Sequence, residues 1–183
     1  AQLDAYAAMR CELYLGCSPF NNREFLERGV DPARCAVLPP FHRVERLLRA
    51  EPDACRLPGP NGAPLLLMVG RIAPNKNDLA LIDALAACRE TIDRRARLLR
   101  VGKLDPNLAA YGNALREHVR ERGAEQHVIA LRDASDAELR AAYAVADALV
   151  MLSAHEGFCV PLIEAMALGT PIIATGSSAI PWT

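Results

Sequence analysis

From residue 64 onward the chain carries five short apolar runs: 65–70 (LLLMVG), 97–102 (RLLRVG), 127–131 (HVIAL), 148–152 (ALVML) and 171–175 (PIIAT). Each has the length of a strand, and none alternates polar with apolar as a half-exposed strand would. Runs of that kind need cover on both faces. The stretches between them supply it. In 78–90, Leu79, Ile82, Leu85 and Ala86 share one helical face, and in 107–122 Leu108, Leu115 and Val119 do so less cleanly. Ser135 and Glu138 have capping-box spacing ahead of Leu139 and Tyr143. Strands alternating with helices predict a parallel sheet with helices on both faces, so the fold class is α/β, Rossmann-like. Ligands of such sheets collect outside the carboxyl ends of the strands. The residues falling there are Gly70 and Arg71, Lys103, Arg132, Ser153 to Glu156, and Gly176 with Ser177.

The earlier part of the chain is built differently. Residues 1–12 read as the end of a helix, 12–17 (ELYLGC) as a short strand, and 35–40 (CAVLPP) as another that two prolines stop. Between them, Ser18 and Pro19 form a cap-and-first-turn pair for a helix ending at Gly29. That is too little for a complete sheet, so 1–40 is expected to be the tail of a second Rossmann-like domain. Residues 41–63, rich in Pro, Gly, Arg and Glu, read as a linker with a short helix near 43–50. The regular pattern of 64–183 is then one domain, cut short at its end. A chain of 183 residues has room for one well-buried domain and part of another.

Composition excludes several classes. A formal net charge of −1 argues against nucleic acid or an anionic membrane as the main partner. No apolar run approaches the roughly 20 residues that span a bilayer. The opening AQLDAYAAMRCE lacks the basic-then-apolar order of a secretory leader, so a cytoplasmic location follows by default. Six cysteines without C-x-x-C spacing read as small buried hydrophobes in a reducing compartment.

The most informative stretch is HEGFCVPLIEAMALG, 155–169. It follows an apolar strand and predicts a helix from Pro161 to Leu168, with Gly169 at its C-terminal cap. Glu156 then lies in the strand-to-helix loop and Glu164 about one turn into the helix. The helix itself leaves the N–H groups of 157–160 unpaired, Pro161 having none, which makes an anion site with a carboxylate on either side. Such a site suits a ligand with phosphates in its middle and hydroxyls at both ends, as a nucleotide-sugar has.

This segment resembles the E-x7-E motif of retaining glycosyltransferases of the two-domain GT-B architecture, in particular the large family 4 group. The similarity includes E-G-F before the helix, E-A-M-A within it and G-T-P-I-I-A after it. A passage similar to S-P-F-N … L-P-P stands in family members where the acceptor domain hands over to the donor domain. The resemblance therefore implies a donor domain over 64–183 and the end of an acceptor domain over 1–40. It gives Glu164 the ribose diol and Glu156 the sugar hydroxyls, beside the amides of Gly157, Phe158, Cys159 and Val160. It also implies an Arg just after the first donor-domain strand and a Lys a few residues on, which are Arg71 and Lys76 in GRIAPNKN, behind Gly70. Two positions depart from the pattern. Family members usually carry a small residue, most often Gly, at 159, and Gly after the third strand where this chain has Arg132 and Asp133.

Sugar transfer from a nucleotide diphosphate breaks the anomeric C–O bond and leaves charge on the departing diphosphate, which fixed positive charge must meet. A metal could supply that charge, yet the chain has no D-x-D pair, so none is expected, and no cofactor beyond the nucleotide-sugar donor. Arg71 and Lys76 offer a planar fork and a mobile point charge. Catalytic roles accordingly fall to Arg71, Lys76 and Glu156, and donor binding to Gly70, Gly157, Phe158, Cys159, Val160 and Glu164. The acceptor is unspecified, and peripheral membrane association would run through the remainder of the acceptor domain. Dinucleotide (G-x-G-x-x-G), P-loop and G-x-S-x-G signatures are absent. The rival reading is a module of the same fold that binds a nucleotide-sugar and catalyses nothing.

Overall fold

The structure, a computed structural model, describes residues 10–42, 44–59 and 61–183. By packing, the chain divides into two compact units, one of 1–42, 155–160 and 176–183 and the other of 43–154 and 161–175. The expected helix at 1–12 lies mostly outside the described residues, and 10–12 are turn and bend.

In the first unit, β1 (Tyr14–Gly16) pairs in parallel with β2 (Cys35–Val37). Helix α1 (Pro19–Glu27) joins them. It starts where expected, because the Ser18 hydroxyl accepts from the Asn21 N–H and Pro19 fills the first helical position. Gly16 has no room for a side chain: a Cβ there would meet Asn22 Oδ1 at 2.1 Å.

The second unit holds the predicted α/β core. In chain order it comprises α2 (Val44–Arg49), β3 (Leu65–Val69), α3 (Asp78–Thr91), β4 (Arg97–Val101), α4 (Ala109–Glu121), β5 (Val128–Leu131), α5 (Asp136–Val145), β6 (Ala148–Met151), α6 (Val160–Leu168) and β7 (Ile172–Ala174). The five strands are all parallel in the order β5-β4-β3-β6-β7. Each lies inside the apolar run that predicted it. Leu67, Leu99 and Leu149 are fully buried on the three central strands, each stabilising by about 1.5–3 kcal/mol. The direction of winding reverses between β3 and β6, and a crevice at that switch point is where such sheets bind ligands.

Helix α3 corrects one detail. Leu81 rather than Leu79 joins Ile82 and Leu85 in the core, with Asp78 also buried. Positions 78, 81, 82 and 85 are spaced for a single face, and the left-handed residue Asn77 (φ 58°) precedes the helix. The segment read as a linker lies largely against α5: Asp53 N–H donates to Ala137 O (3.1 Å), and Arg140 donates to Leu48 O (2.7 Å). Cysteine burial is also narrower than expected. All six are free and only Cys159 is buried, while Cys11 and Cys55 are exposed.

The capping box at the start of α5 forms as predicted, Ser135 and Glu138 bonding each other's backbone. Glu138 is also gripped by Arg56, whose Nη2 donates to Oε2 at 2.6 Å. The Arg56 guanidinium, then the Ser135 N–H, hold the Glu138 carboxyl down from 4.5 to about 2. A depressed folded-state pKa stabilises the fold above the unfolded value and loses that contribution as pH falls through the folded one. Thermal melts should therefore show Glu138→Gln less stable than the parent at neutral pH, with the gap closing between pH 4.5 and 2. A constant gap across that range would mean the carboxylate charge contributes nothing.

Candidate functional site

The loop leaving β3 carries the cations of the candidate site. Gly70 N–H donates to Val101 O (3.0 Å) and Ile72 N–H to Lys103 O (2.7 Å), so parallel pairing with the β4 side continues past the strand ends. A short 3-10 turn, Pro74–Lys76, then leads through Asn77 into α3. Lys76 is folded back over the strand end. A Cβ placed on Gly70 would lie 3.7 Å from its Cε and 3.8 Å from its Nζ, so the ammonium sits over the bare face of that glycine. Gly70 itself has φ 143°, which side-chain-bearing residues rarely adopt.

Arg71 is largely exposed, with Nη1 3.3 Å from Asp105 Oδ2. An exposed pair of this sort holds its partners by no more than about 1 kcal/mol, so the guanidinium can leave Asp105 for a stronger anion. Asn75 O accepts from Ala154 N–H at 2.9 Å, which joins this loop to the chain leaving β6. Both sides of the switch point are thus stitched together, with Gly70, Arg71 and Lys76 on one of them.

Glu164 sits on α6 as the motif predicts, half-buried, and its Oε2 accepts from the Tyr143 hydroxyl at 2.7 Å. Tyr143 lies on α5 with 1% exposure. Nothing in the sequence spacing paired it with Glu164. The Tyr143→Phe variant removes the hydroxyl alone. Hydrogen bonds to charged groups contribute about 1.5–3 kcal/mol, so the variant should melt about 3–12 °C lower. An unchanged melting temperature would show that the carboxylate is held by other groups.

The loop 155–160 belongs to the first unit and is tied down there. Glu156 is 7% exposed, its N–H donating to Ser178 Oγ (2.7 Å) and its carbonyl accepting from Ala179 N–H (3.2 Å). Gly157 O accepts from the Cys17 thiol (3.1 Å), and a Cβ on Gly157 would meet that sulfur at 3.2 Å. The close approach at Gly157 is therefore to Cys17. Phe158 is half-buried, its carbonyl accepting from the Thr183 hydroxyl, and Val160 starts α6 one residue earlier than expected. Cys159 is buried with φ 65°. A left-handed backbone is one that Gly adopts most readily, which fits the small residue, most often Gly, that the resemblance led one to expect at 159. A Cβ in this conformation costs about 1–2 kcal/mol.

Three further residues bear on the site without having been singled out by the sequence. Asp105 pairs with Arg71, while Arg100 and Asp78 form a buried ion pair beneath the β3 loop. Arg100 was hidden inside a run that reads as apolar. Among the described residues no group of three or more His, Cys, Asp or Glu is placed to hold a metal ion. Nor is any helix among them long and apolar enough to cross a membrane.

Residues 55–181 match the family described as Glycosyl transferases group 1. The chain is 38% identical over 148 residues to a D-inositol 3-phosphate glycosyltransferase of Jonesia denitrificans, which takes in 80% of this chain and 33% of that protein. In shape it is similar to Anabaena Alr3699/HepE, solved in complex with UDP and glucose, with a TM-score of 0.81 at 21% identity over 97% of this chain and 48% of that one. Sucrose-phosphate synthase (tll1590) from Thermosynechococcus elongatus superposes with a TM-score of 0.78 at 26% identity, over 98% of this chain and 44% of that one. The chain spans about a third of the length of the curated relatives it matches first.

Proposed function

The chain belongs to the Glycosyl transferases group 1 family, and from that membership we propose that it is the donor-binding part of a retaining, metal-independent glycosyltransferase of family 4. Its donor is a nucleotide-diphosphate sugar. The observation that carries the reading is the loop 70–77, with Lys76 folded over Gly70 at the end of the central strand and Arg71 beside it on an easily broken ion pair. As the anomeric C–O bond breaks, the leaving diphosphate gains charge, and these two cations supply the fixed positive potential it needs. Glu164, oriented by Tyr143, accepts from the two ribose hydroxyls. Glu156 takes the sugar hydroxyls, as the E-x7-E resemblance implies. The HepE structure was solved with UDP and glucose, which supports a nucleotide-sugar as the ligand class. The acceptor is contacted by parts of the enzyme beyond this donor half.

Calorimetric titration with a panel of nucleoside diphosphates tests the donor site and the base preference together. One member should bind and raise the melting temperature by mass action. A longer protein that includes the acceptor domain should then transfer sugar with retained anomeric configuration, read by NMR of the product. Inverted product would overturn the retaining mechanism. Binding without transfer in the longer protein would favour a non-catalytic nucleotide-sugar module, and no binding at all would overturn both.

A further inference from the structure

Arg100 is an anomaly in this sheet. It occupies the fourth position of β4, a strand flanked by neighbours on both sides, and is 4% exposed. Its guanidinium donates from Nε to Asp78 Oδ1 (2.6 Å), from Nη1 to Gly70 O (2.7 Å) and Val101 O (2.9 Å), and from Nη2 to Arg71 O (3.2 Å). Stability alone does not account for such a pair, because well-packed apolar residues of similar volume usually serve a fold as well or better. What the apolar replacement could not do is hold those particular acceptors.

The acceptors mark the two ends of one segment. Gly70 and Arg71 open the loop that follows β3, and Asp78 is the first residue of the helix that closes it. Between them lie Arg71 and Lys76, the two cations assigned to the diphosphate. The chain makes room for this arrangement at Gly102, where a Cβ would stand 1.9 Å from Gly70 O and 3.4 Å from Arg100 Nη1. Asp78 balances the guanidinium charge, so Arg100 is neither exposed nor electrostatically free to bind a phosphate itself. Its donors fix backbone. With Gly70 O drawn toward the guanidinium, the trans geometry of the 70–71 peptide turns the Arg71 N–H the opposite way.

We infer that Arg100 is a positioning residue, a buried clamp that holds both ends of the 70–78 segment and thereby sets where Arg71 and Lys76 present their charge to the diphosphate of the donor. The inference rests on the donor-site reading above. The clamp acts through the loop and touches no ligand.

The test separates the clamp from simple destabilisation. Arg100→Met alone would strand the Asp78 carboxylate, so it is paired with Asp78→Leu, which removes the buried charge altogether. Arg100→Lys is the second variant, retaining charge but unable to reach all the acceptors at once. Two readouts are taken on the whole chain. The first is the ratio of affinities for a nucleoside diphosphate and its parent nucleoside, which isolates what the phosphates add. In the folded double variant this ratio should fall about ten- to a hundredfold, since losing a well-placed charge-assisted contact to phosphate carries an effect of that order, while nucleoside affinity holds. Arg100→Lys should lose part of it. The second is hydrogen exchange, needing no ligand: amides of 72–77 should exchange faster in the variants while those of β6 and α5 do not. An unchanged ratio, or exchange that rises uniformly across the chain, overturns the clamp. If the double variant does not fold, Arg100→Lys decides by the same two criteria. Should the parent bind no nucleoside diphosphate, the donor reading fails by itself, and the exchange pattern still decides whether Arg100 holds the loop.

Discussion

Replacing Lys76 or Arg71 by Ala in a full-length enzyme carrying this chain is expected to lower kcat by about 10²–10³, with a smaller effect on donor affinity. The asymmetry follows from when the charge develops. In the bound donor the diphosphate is already anionic and shares its charge with the sugar through a covalent bond. In the transition state that bond is breaking, and more negative charge moves onto the leaving group. A cation already in place does more work in the second situation than in the first. Lys76 should show the larger loss. Its ammonium is held over Gly70, whereas Arg71 must first be released from Asp105. The corollary is that Asp105→Ala, which frees Arg71, should leave kcat within a few-fold of the parent. Saturation kinetics decide the matter: variants with weakened donor binding but normal turnover at saturating donor would remove both cations from the leaving-group role.

How far the sequence could be read depended on which force set each feature. The five strands were legible because burial on both faces demands apolar runs, whereas their order β5-β4-β3-β6-β7 came only with the structure. The capping box at Ser135 and Glu138 was legible because its chemistry is local. Features set by distant contacts were not. Leu81 replaced Leu79 in the core because leucines at both positions border the apolar face of α3, and the apolar pattern alone does not say which of them packing covers. Tyr143 read only as a residue following the capping box. Its hydroxyl meets Glu164 only because α5 and α6 come together across 21 positions of sequence. Arg100 was masked by its own neighbours, since Leu98, Leu99 and Val101 make 97–102 read as an apolar run. Its meaning lies in four bonds that need β3, β4 and α3 to be in place. The glutamates and cations of the candidate site were visible early because residue type and motif spacing carry them. The groups that aim those side chains were not, because aiming is done by the fold.

The close approach of β3 and β4 at their carboxyl ends yields the second large effect. Gly102→Ala is expected to destabilise the chain by about 3–5 kcal/mol, in the range of severe single substitutions, and to lower its melting temperature by roughly 6–20 °C. Two penalties combine at this position. The backbone has φ 135°, outside the regions comfortable for a side chain, and the new Cβ would stand 1.9 Å from Gly70 O. Neither party can move cheaply. Gly70 O is held by Arg100, and Gly102 N–H donates to Leu131 O at 2.9 Å, so a shift of either strand end breaks a buried bond. Gly169 provides the internal control. It too has positive φ (73°), but a Cβ there meets nothing within 4 Å. Its replacement by Ala should therefore carry only the conformational penalty of about 1–2 kcal/mol. The difference between the two variants measures the close contact at Gly102 together with its harsher backbone angle. If both melt at the same temperature, the strand ends are more yielding than the Arg100 bonds imply, and the loop bearing Arg71 and Lys76 would have to be held from elsewhere.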